Sequence, residues 1–322
     1  MPLEAIQALI GADMKVVDRI IRERLHSDVA LIRQVSEYII NSGGKRLRPM
    51  LVLLSAGLFG HQGGQRHELA AVVELIHTAT LLHDDVVDES ELRRGKKTAN
   101  AMFGNAASVL VGDFLYSRSF QMMVDVGLMR VMEVLSEATN IIAEGEVLQL
   151  LNVHDADITE ERYLQVIRYK TAKLFEAATR LGAILGDASR DDEEAMASYG
   201  MHLGTAFQLI DDVLDYSGDH EETGKNVGDD LAEGKPTLPL IYAIQHGSVA
   251  QATTIRRAIT DDGLIELNEV VAAIKETGAL RYAQQRAQQE SDIACEAIRH
   301  LPHSIYKDSL LQLAAFAVTR TY

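Results

Sequence analysis

The chain has 322 residues, 47% of them hydrophobic, with five prolines, no tryptophan and a single cysteine. Its 47 acidic and 31 basic residues leave a net charge of −16, which argues against nucleic acid as a partner, because a phosphate backbone requires a basic footprint. Cys295 alone excludes an internal disulfide, and no apolar run approaches the roughly 18–20 residues of a transmembrane helix. Met1-Pro2-Leu3-Glu4 opens an acidic, amphipathic stretch without the basic start of a secretory signal, so a soluble cytoplasmic protein is expected. The length allows one large domain or two ordinary ones. No linker of Pro, Ser or Gly divides the chain, and one domain over 1–322 is expected.

No proline lies between Pro49 and Pro236, and convincing period-2 strands are absent, so the fold class is all-α. In chain order, Gly43-Gly44-Lys45-Arg46-Leu47-Arg48-Pro49 forms a compact basic turn running into a helix. Pro49 suits the first helical position, and free N–H groups there add to the Lys and Arg charges, which makes the turn a place for a diphosphate. A solvated basic turn is the plainer reading. Val72, Leu75, Ile76, Ala79, Leu82 and Val86 follow helical spacing, and His77 shares the face of Asp84, seven residues on. A lone histidine there is more often structural than catalytic.

That helix carries Asp84-Asp85-Val86-Val87-Asp88, whose first and last carboxylates share a face with the middle one about 100° round. Exposed like charges at this spacing cost only roughly 0.2–0.5 kcal/mol, so the triplet alone proves little. The apolar flank Leu81-Leu82 decides for a functional reading. Carboxylates crowded beside apolar surface need a cation, and hard oxygen ligands suit Mg²⁺. Arg93-Arg94-Gly95 follows closely; near a helix C-terminus such cations complement the dipole, and beside a metal site they are placed to grip phosphate oxygens. Thr159 with Glu160 and Glu161 reads as a helix start, and the helix carries Lys170 and Thr171.

Leu203, Phe207, Ile210 and Leu214 mark a further helix with a second box, Asp211-Asp212-Val213-Leu214-Asp215, with Gln208 three residues before Asp211. Ser217 to Pro236 is a long polar stretch that reads equally as a surface loop or a mobile lid. Lys170, Lys225 and Lys235 are each unremarkable alone. A Walker loop is absent, as are His-Glu-x-x-His and Cys/His zinc spacings. The residues by themselves describe an Mg²⁺-dependent, diphosphate-handling helical protein.

The ordered set resembles the trans-isoprenyl diphosphate synthases. Its parts are Gly-Gly-Lys-Arg-Leu-Arg-Pro (43–49), Leu-Leu-His-Asp-Asp-Val-Val-Asp with Arg93-Arg94, Lys170-Thr171 and Phe207-Gln208-Leu209-Ile210-Asp211-Asp212. Gly224-Lys225-Asn226-Val227-Gly228-Asp229-Asp230 and Gly234-Lys235-Pro236-Thr237 complete it. The resemblance implies an isoprenoid-synthase-type helical bundle around a deep central cavity, as a homodimer. Asp84, Asp88 and Asp211 are implied as the main Mg²⁺ ligands, with Asp85, Asp212 and Asp215 completing or supporting them. Lys45, Arg48, His77 and Arg94 are implied to bind isopentenyl diphosphate. Arg93, Lys170, Thr171, Gln208, Lys225 and Lys235 are implied to hold the allylic diphosphate, with Arg93 and Lys170 also assisting catalysis.

Product length follows from what stands behind the first box. Helix rise puts Ala79 roughly 7–8 Å before Asp84 and Ile76 about 12 Å before it. Short-chain members resemble one another in a bulky aromatic five residues before the first Asp. Here Ala79, with Thr80 beside it, leaves the tunnel open and the product long; eight isoprene units, as in respiratory quinone side chains, are what the resemblance implies. Met122 and Met123 are candidates for the tunnel floor, or ordinary core methionines. A class I terpene cyclase is the rival enzyme, but its usual second motif is of Asn-Ser-Glu type. A non-catalytic partner subunit would have lost Asp boxes that are intact here.

Overall fold

The computed structural model describes residues 2–40, 43–93, 95–217, 227–261 and 265–320. It forms two compact units: Met1–Thr139, Leu174–Gly200 and Ile298–Leu313 in the first, Asn140–Lys173, Met201–Ala297 and Ala314–Tyr322 in the second. Among the described residues the elements are α-helices, one five-residue π-helix and one minimal hairpin. The all-α expectation holds. No described helix is long and apolar enough to cross a membrane.

The first unit is led by α1 (Pro2–Arg24), α2 (Ala30–Ile40), α3 (Leu47–Leu58) and α4 (Gln65–Val87). Leu69, Val72, Leu75, Ile76, Ala79 and Leu82 recur at helical spacing along α4 and are all buried. Each large apolar side chain so buried contributes about 1.5–3 kcal/mol. They anchor α4 against α1, α3 and α6 (Asn105–Val126). Strands β1 (Leu92–Arg93) and β2 (Lys96–Lys97) pair antiparallel, Leu92 opposite Lys97 and Arg93 opposite Lys96. The short α5 (Ala99–Phe103) follows, capped by Thr98, whose Oγ1 accepts from Ala101 N. The unit also takes in the first turns of α7 (Met129–Asn152), nearly all of α9 (Lys173–Leu185), α10 (Arg190–Ser217) as far as Gly200, and the start of the last helix, Ile305–Thr319.

Pro49 does not occupy the first helical position. Helix α3 begins at Leu47 with Arg46 as its N-cap, so Pro49 is third. The position is still tolerated, because the first N–H groups of a helix lack an intrahelical acceptor.

In the second unit, α8 (Glu160–Ile167) begins where Thr159 marks it: the threonine Oγ1 accepts from Arg162 N at 3.3 Å. The helix does not continue regularly to Lys170 and Thr171, however. After Ile167 the backbone widens into a π-helix over Arg168–Ala172. The C-terminal part of α10, which carries the second Asp box, buries Leu209, Ile210 and Val213 against Tyr163, Leu164, Leu238 and Ile241. Helix α11 (Asp229–Ala232) is a single turn, followed by α12 (Leu238–His246), α13 (Val249–Thr260), α14 (Leu267–Thr277) and α15 (Ala279–Ala297). Tyr216, Leu231, Leu240, Ile255, Ile259, Val270 and Ile274 form a second apolar cluster. Of the polar stretch 217–236, residues 218–226 lie outside the described residues.

Candidate active site

In the first unit the basic turn enters α3 with Lys45, Arg46 and Arg48 half-buried. The Arg48 guanidinium lies over the Phe175 ring, 4.7 Å from its centroid. Arg46 donates to Glu74 Oε1 at 2.5 Å. His77 stands on α4 one turn beyond Glu74 and lines a cavity of about 80 Å³ with Arg46, Glu74, Asp85 and Arg93. The structure therefore brings His77 and Arg93 to one hollow.

The first box closes α4. Asp88 N donates to Asp84 O at 2.8 Å, so the helical turn persists to the last carboxylate although α4 itself ends at Val87. Asp84 and Asp88 are half-buried, whereas Asp85 is only 4% exposed. That is the 100° offset expected of the middle residue. Arg93 reaches back from β1 and donates to Asp85 Oδ1 through Nε at 2.8 Å and Nη2 at 2.7 Å. Burial raises the Asp85 carboxyl above its ordinary range, against the pull of that guanidinium. Arg94 lies outside the described residues. Behind the box, Ile76 and Ala79 are fully buried, and the Thr80 hydroxyl donates to His77 O at 2.9 Å. Met122 and Met123 are buried on α6, which packs along α4.

In the second unit, Asp211 is half-buried and Asp212 is 2% exposed. Tyr163 Oη donates to Asp212 Oδ2 at 2.5 Å, Gln208 Nε2 donates to Asp212 Oδ1 at 2.9 Å, and Thr171 Oγ1 donates to Gln208 Oε1 at 3.0 Å. Three predicted site residues thus form one chain of hydrogen bonds. Asp215 is buried, and its Oδ2 accepts from Asp230 N at 3.3 Å. Burial and the charge of Asp230 push Asp212 up to about 8, against the donors Tyr163 and Gln208. Burial and the Asp212 charge hold the Tyr163 phenol well above its usual value.

Lys170 Nζ pairs with Glu146 Oε2 at 2.6 Å, and Lys235 Nζ with Glu233 Oε2 at 2.6 Å. Lys225 lies outside the described residues. Lys170 and Thr171 both stand on the π-helix, a distortion that recurs at functional sites. It is packed so closely that a Cβ on Gly145 would lie 2.7 Å from Lys170 N.

A family model described as polyprenyl synthetase matches residues 29–276. Over 321 residues the chain is 55% identical to an octaprenyl diphosphate synthase of Escherichia coli (strain K12), with 99% of each chain covered. An octaprenyl diphosphate synthase of Haemophilus influenzae is 50% identical over 323 residues, covering 100% of this chain and 98% of that one. A polyprenyl synthase from Caulobacter crescentus CB15, solved with calcium and isoprenyl diphosphate, matches with a TM-score of 0.96 and 44% identity, covering 99% of this chain and 98% of that one. The chain belongs to the polyprenyl synthetase family. It is a prenyltransferase that makes long-chain trans-polyprenyl diphosphates.

For a polyprenyl synthetase the donor set is appropriate: hard carboxylate oxygens on two short acidic boxes suit a divalent cation. Among the described residues no group of three His, Cys, Asp or Glu side chains is arranged to hold a metal alone.

Several polar residues tied to the boxes or to the predicted cations were not singled out in the sequence. Arg320 is one: its Nη2 pairs with Asp211 Oδ1 at 2.7 Å and donates to Phe207 O at 2.6 Å, while its guanidinium stacks on Phe207, 3.8 Å from the ring centroid. Tyr163, Glu146, Glu74 and Asp230 are others. Only Asp230 stood inside a quoted motif.

Proposed function

We propose that this synthase condenses isopentenyl diphosphate with farnesyl diphosphate, in the presence of Mg²⁺, to make octaprenyl diphosphate for quinone side chains. The observation that carries the reading is the buried methyl group of Ala79 behind the first box, in a chain more than half identical to an octaprenyl diphosphate synthase. Asp84, Asp88 and Asp211 are the residues that would hold Mg²⁺, with Asp85, Asp212 and Asp215 in support. Mg²⁺ supplies positive charge to the diphosphate that leaves.

The chain's own residues do the rest. Arg93, Lys170, Lys225 and Lys235 hold the allylic diphosphate and take up its charge as the C–O bond breaks and the bonding electrons pass to the leaving oxygen. Thr171 and Gln208 direct their dipoles at the allylic cation. Lys45, Arg48, His77 and Arg94 orient isopentenyl diphosphate so that its double bond attacks the cation and forms the new C–C bond. A proton is then lost to the departed diphosphate, leaving a new double bond.

Residues 1–322 act as one domain, in the cytoplasm, as a homodimer. Supporting the dimer, Leu110 and Val124 on α6 and Val147, Leu150 and Leu151 on α7 are large apolar side chains left exposed. Purified protein supplied with Mg²⁺, farnesyl diphosphate and labelled isopentenyl diphosphate is expected to give octaprenyl diphosphate by chromatography, and none after chelation. No condensation would mean a non-catalytic partner subunit; a cyclic hydrocarbon would mean a cyclase.

A further inference from the structure

Arg46 adopts a left-handed backbone conformation, φ 52° and ψ 34°, at the N-cap of α3. L side chains rarely enter that region, and they persist there when the surroundings over-determine them. Here the surroundings are Glu74: its Oε1 accepts from Arg46 Nη1 at 2.5 Å, and the residue is only 8% exposed. Glu74 lies on α4, three residues before His77, and Thr78 Oγ1 donates to its carbonyl at 2.8 Å. Arg46, Glu74 and His77 line the same cavity.

A buried carboxylate is out of place electrostatically beside a site for a diphosphate. It lowers the local positive potential, and it is costly to desolvate. Its geometry gives it another use. The ion pair ties the middle cation of the basic turn to the helix that bears His77, and it does so at the turn's strained residue.

We propose that Glu74 is a positioning residue for isopentenyl diphosphate. It holds Arg46 and thereby sets Lys45 and Arg48 at a fixed place relative to His77. The proposal rests on the assignment of the basic turn and His77 to that substrate. A positional role and a purely electrostatic one have opposite signs. Removing a carboxylate that only repels would tighten isopentenyl diphosphate, whereas removing a strut loosens it.

The test is steady-state kinetics of the full chain with Mg²⁺, farnesyl diphosphate and isopentenyl diphosphate, for Glu74→Ala, Glu74→Gln, Arg46→Ala, the double alanine variant and Lys45→Ala. Glu74→Ala and Arg46→Ala are each expected to raise KM for isopentenyl diphosphate roughly tenfold, with kcat and the allylic KM within about twofold. The double variant is expected to be no worse than either single one, because both remove the same strut. Glu74→Gln retains an acceptor oxygen, is the variant safest for folding, and should fall between wild type and Glu74→Ala.

An unchanged or lower KM for isopentenyl diphosphate in both Glu74 variants overturns the proposal. So do equal rises in the KM of both substrates. Lys45→Ala separates the two levels of failure. If it leaves that KM unchanged, the assignment of the basic turn fails and the proposal with it. If it raises the KM while the Glu74 variants do not, only the positioning role fails.

Discussion

Ala79 presents one methyl group, fully buried, five residues before Asp84 on the same helix. Under the proposed function a growing chain that starts at the metals passes this position, and a phenol there is expected to stop it. Ala79→Tyr is therefore expected to shift the product to shorter diphosphates, read by chromatography after dephosphorylation; an unaltered length distribution would remove Ala79 from the tunnel. Because Ala79 is fully buried and tyrosine is far larger, a stability cost of about 1–3 kcal/mol is also expected. Tyr163 leads to a different readout. Its hydroxyl donates to buried Asp212 and favours the ionised carboxylate. Tyr163→Phe should push Asp212 further above its already raised value of about 8, so that more Mg²⁺ is needed for half-maximal velocity. A metal titration that superimposes on wild type would count against any link between Tyr163 and the metal. The Asp boxes were legible in the sequence because acidic triplets in apolar runs are anomalous. Tyr163 was not, since a tyrosine 49 residues from its partner looks like any core aromatic. Arg320, 113 residues from Phe207, is likewise a pairing that only the folded chain creates.

At the level of elements, helicity was readable from the lack of prolines and from apolar spacing, and Thr159 marked its helix start correctly. The π-helix at Arg168–Ala172 was not readable. Widening a helix by one residue changes neither composition nor the apolar stripe over so short a span, and the expected cause lies elsewhere, at the close approach of Gly145. Two glycines make a matched test of that cause. A Cβ at Gly145 would lie 2.7 Å from Lys170 N and 2.8 Å from Tyr169 Cβ, while one at Gly11 in α1 meets nothing within 4 Å. Gly11→Ala should stabilise by roughly 0.5–1 kcal/mol through helix propensity, with activity unchanged. Gly145→Ala gains the same propensity but must displace the π-helix. A net loss of about 1–3 kcal/mol is expected, together with lower kcat, because Lys170 and Thr171 move with that backbone. Urea unfolding midpoints and initial rates measure both. If Gly145→Ala is as benign as Gly11→Ala, the close approach does not set the π-helix.

The whole molecule carries 16 excess negative charges, yet two of its buried acids, Glu193 and Glu290, are held by basic side chains nearby. In the first unit Glu193 Oε1 receives Arg130 Nη2 and Arg180 Nε, both at 2.6 Å. In the second, Glu290 receives His202 Nδ1 at 2.5 Å and Arg168 Nη2 at 3.2 Å. Burial pushes each carboxyl up, but the cationic partners outweigh it, and both end below the ordinary glutamate value of 4.5. An acid whose folded pKa is depressed stabilises the protein above its unfolded pKa, and that contribution is lost as pH falls through the folded value. Glu193→Gln and Glu290→Gln should therefore unfold at lower urea than wild type near pH 7. The gap should narrow below pH 4.5, where the wild-type side chain takes up a proton and comes to match glutamine in charge. Both glutamates are buried, so the neutral-pH gap should survive added salt better than one made by removing the exposed Arg19–Glu23 pair. A gap that stays constant down to pH 3 would mean that packing around these glutamates, rather than their charge, stabilises the fold.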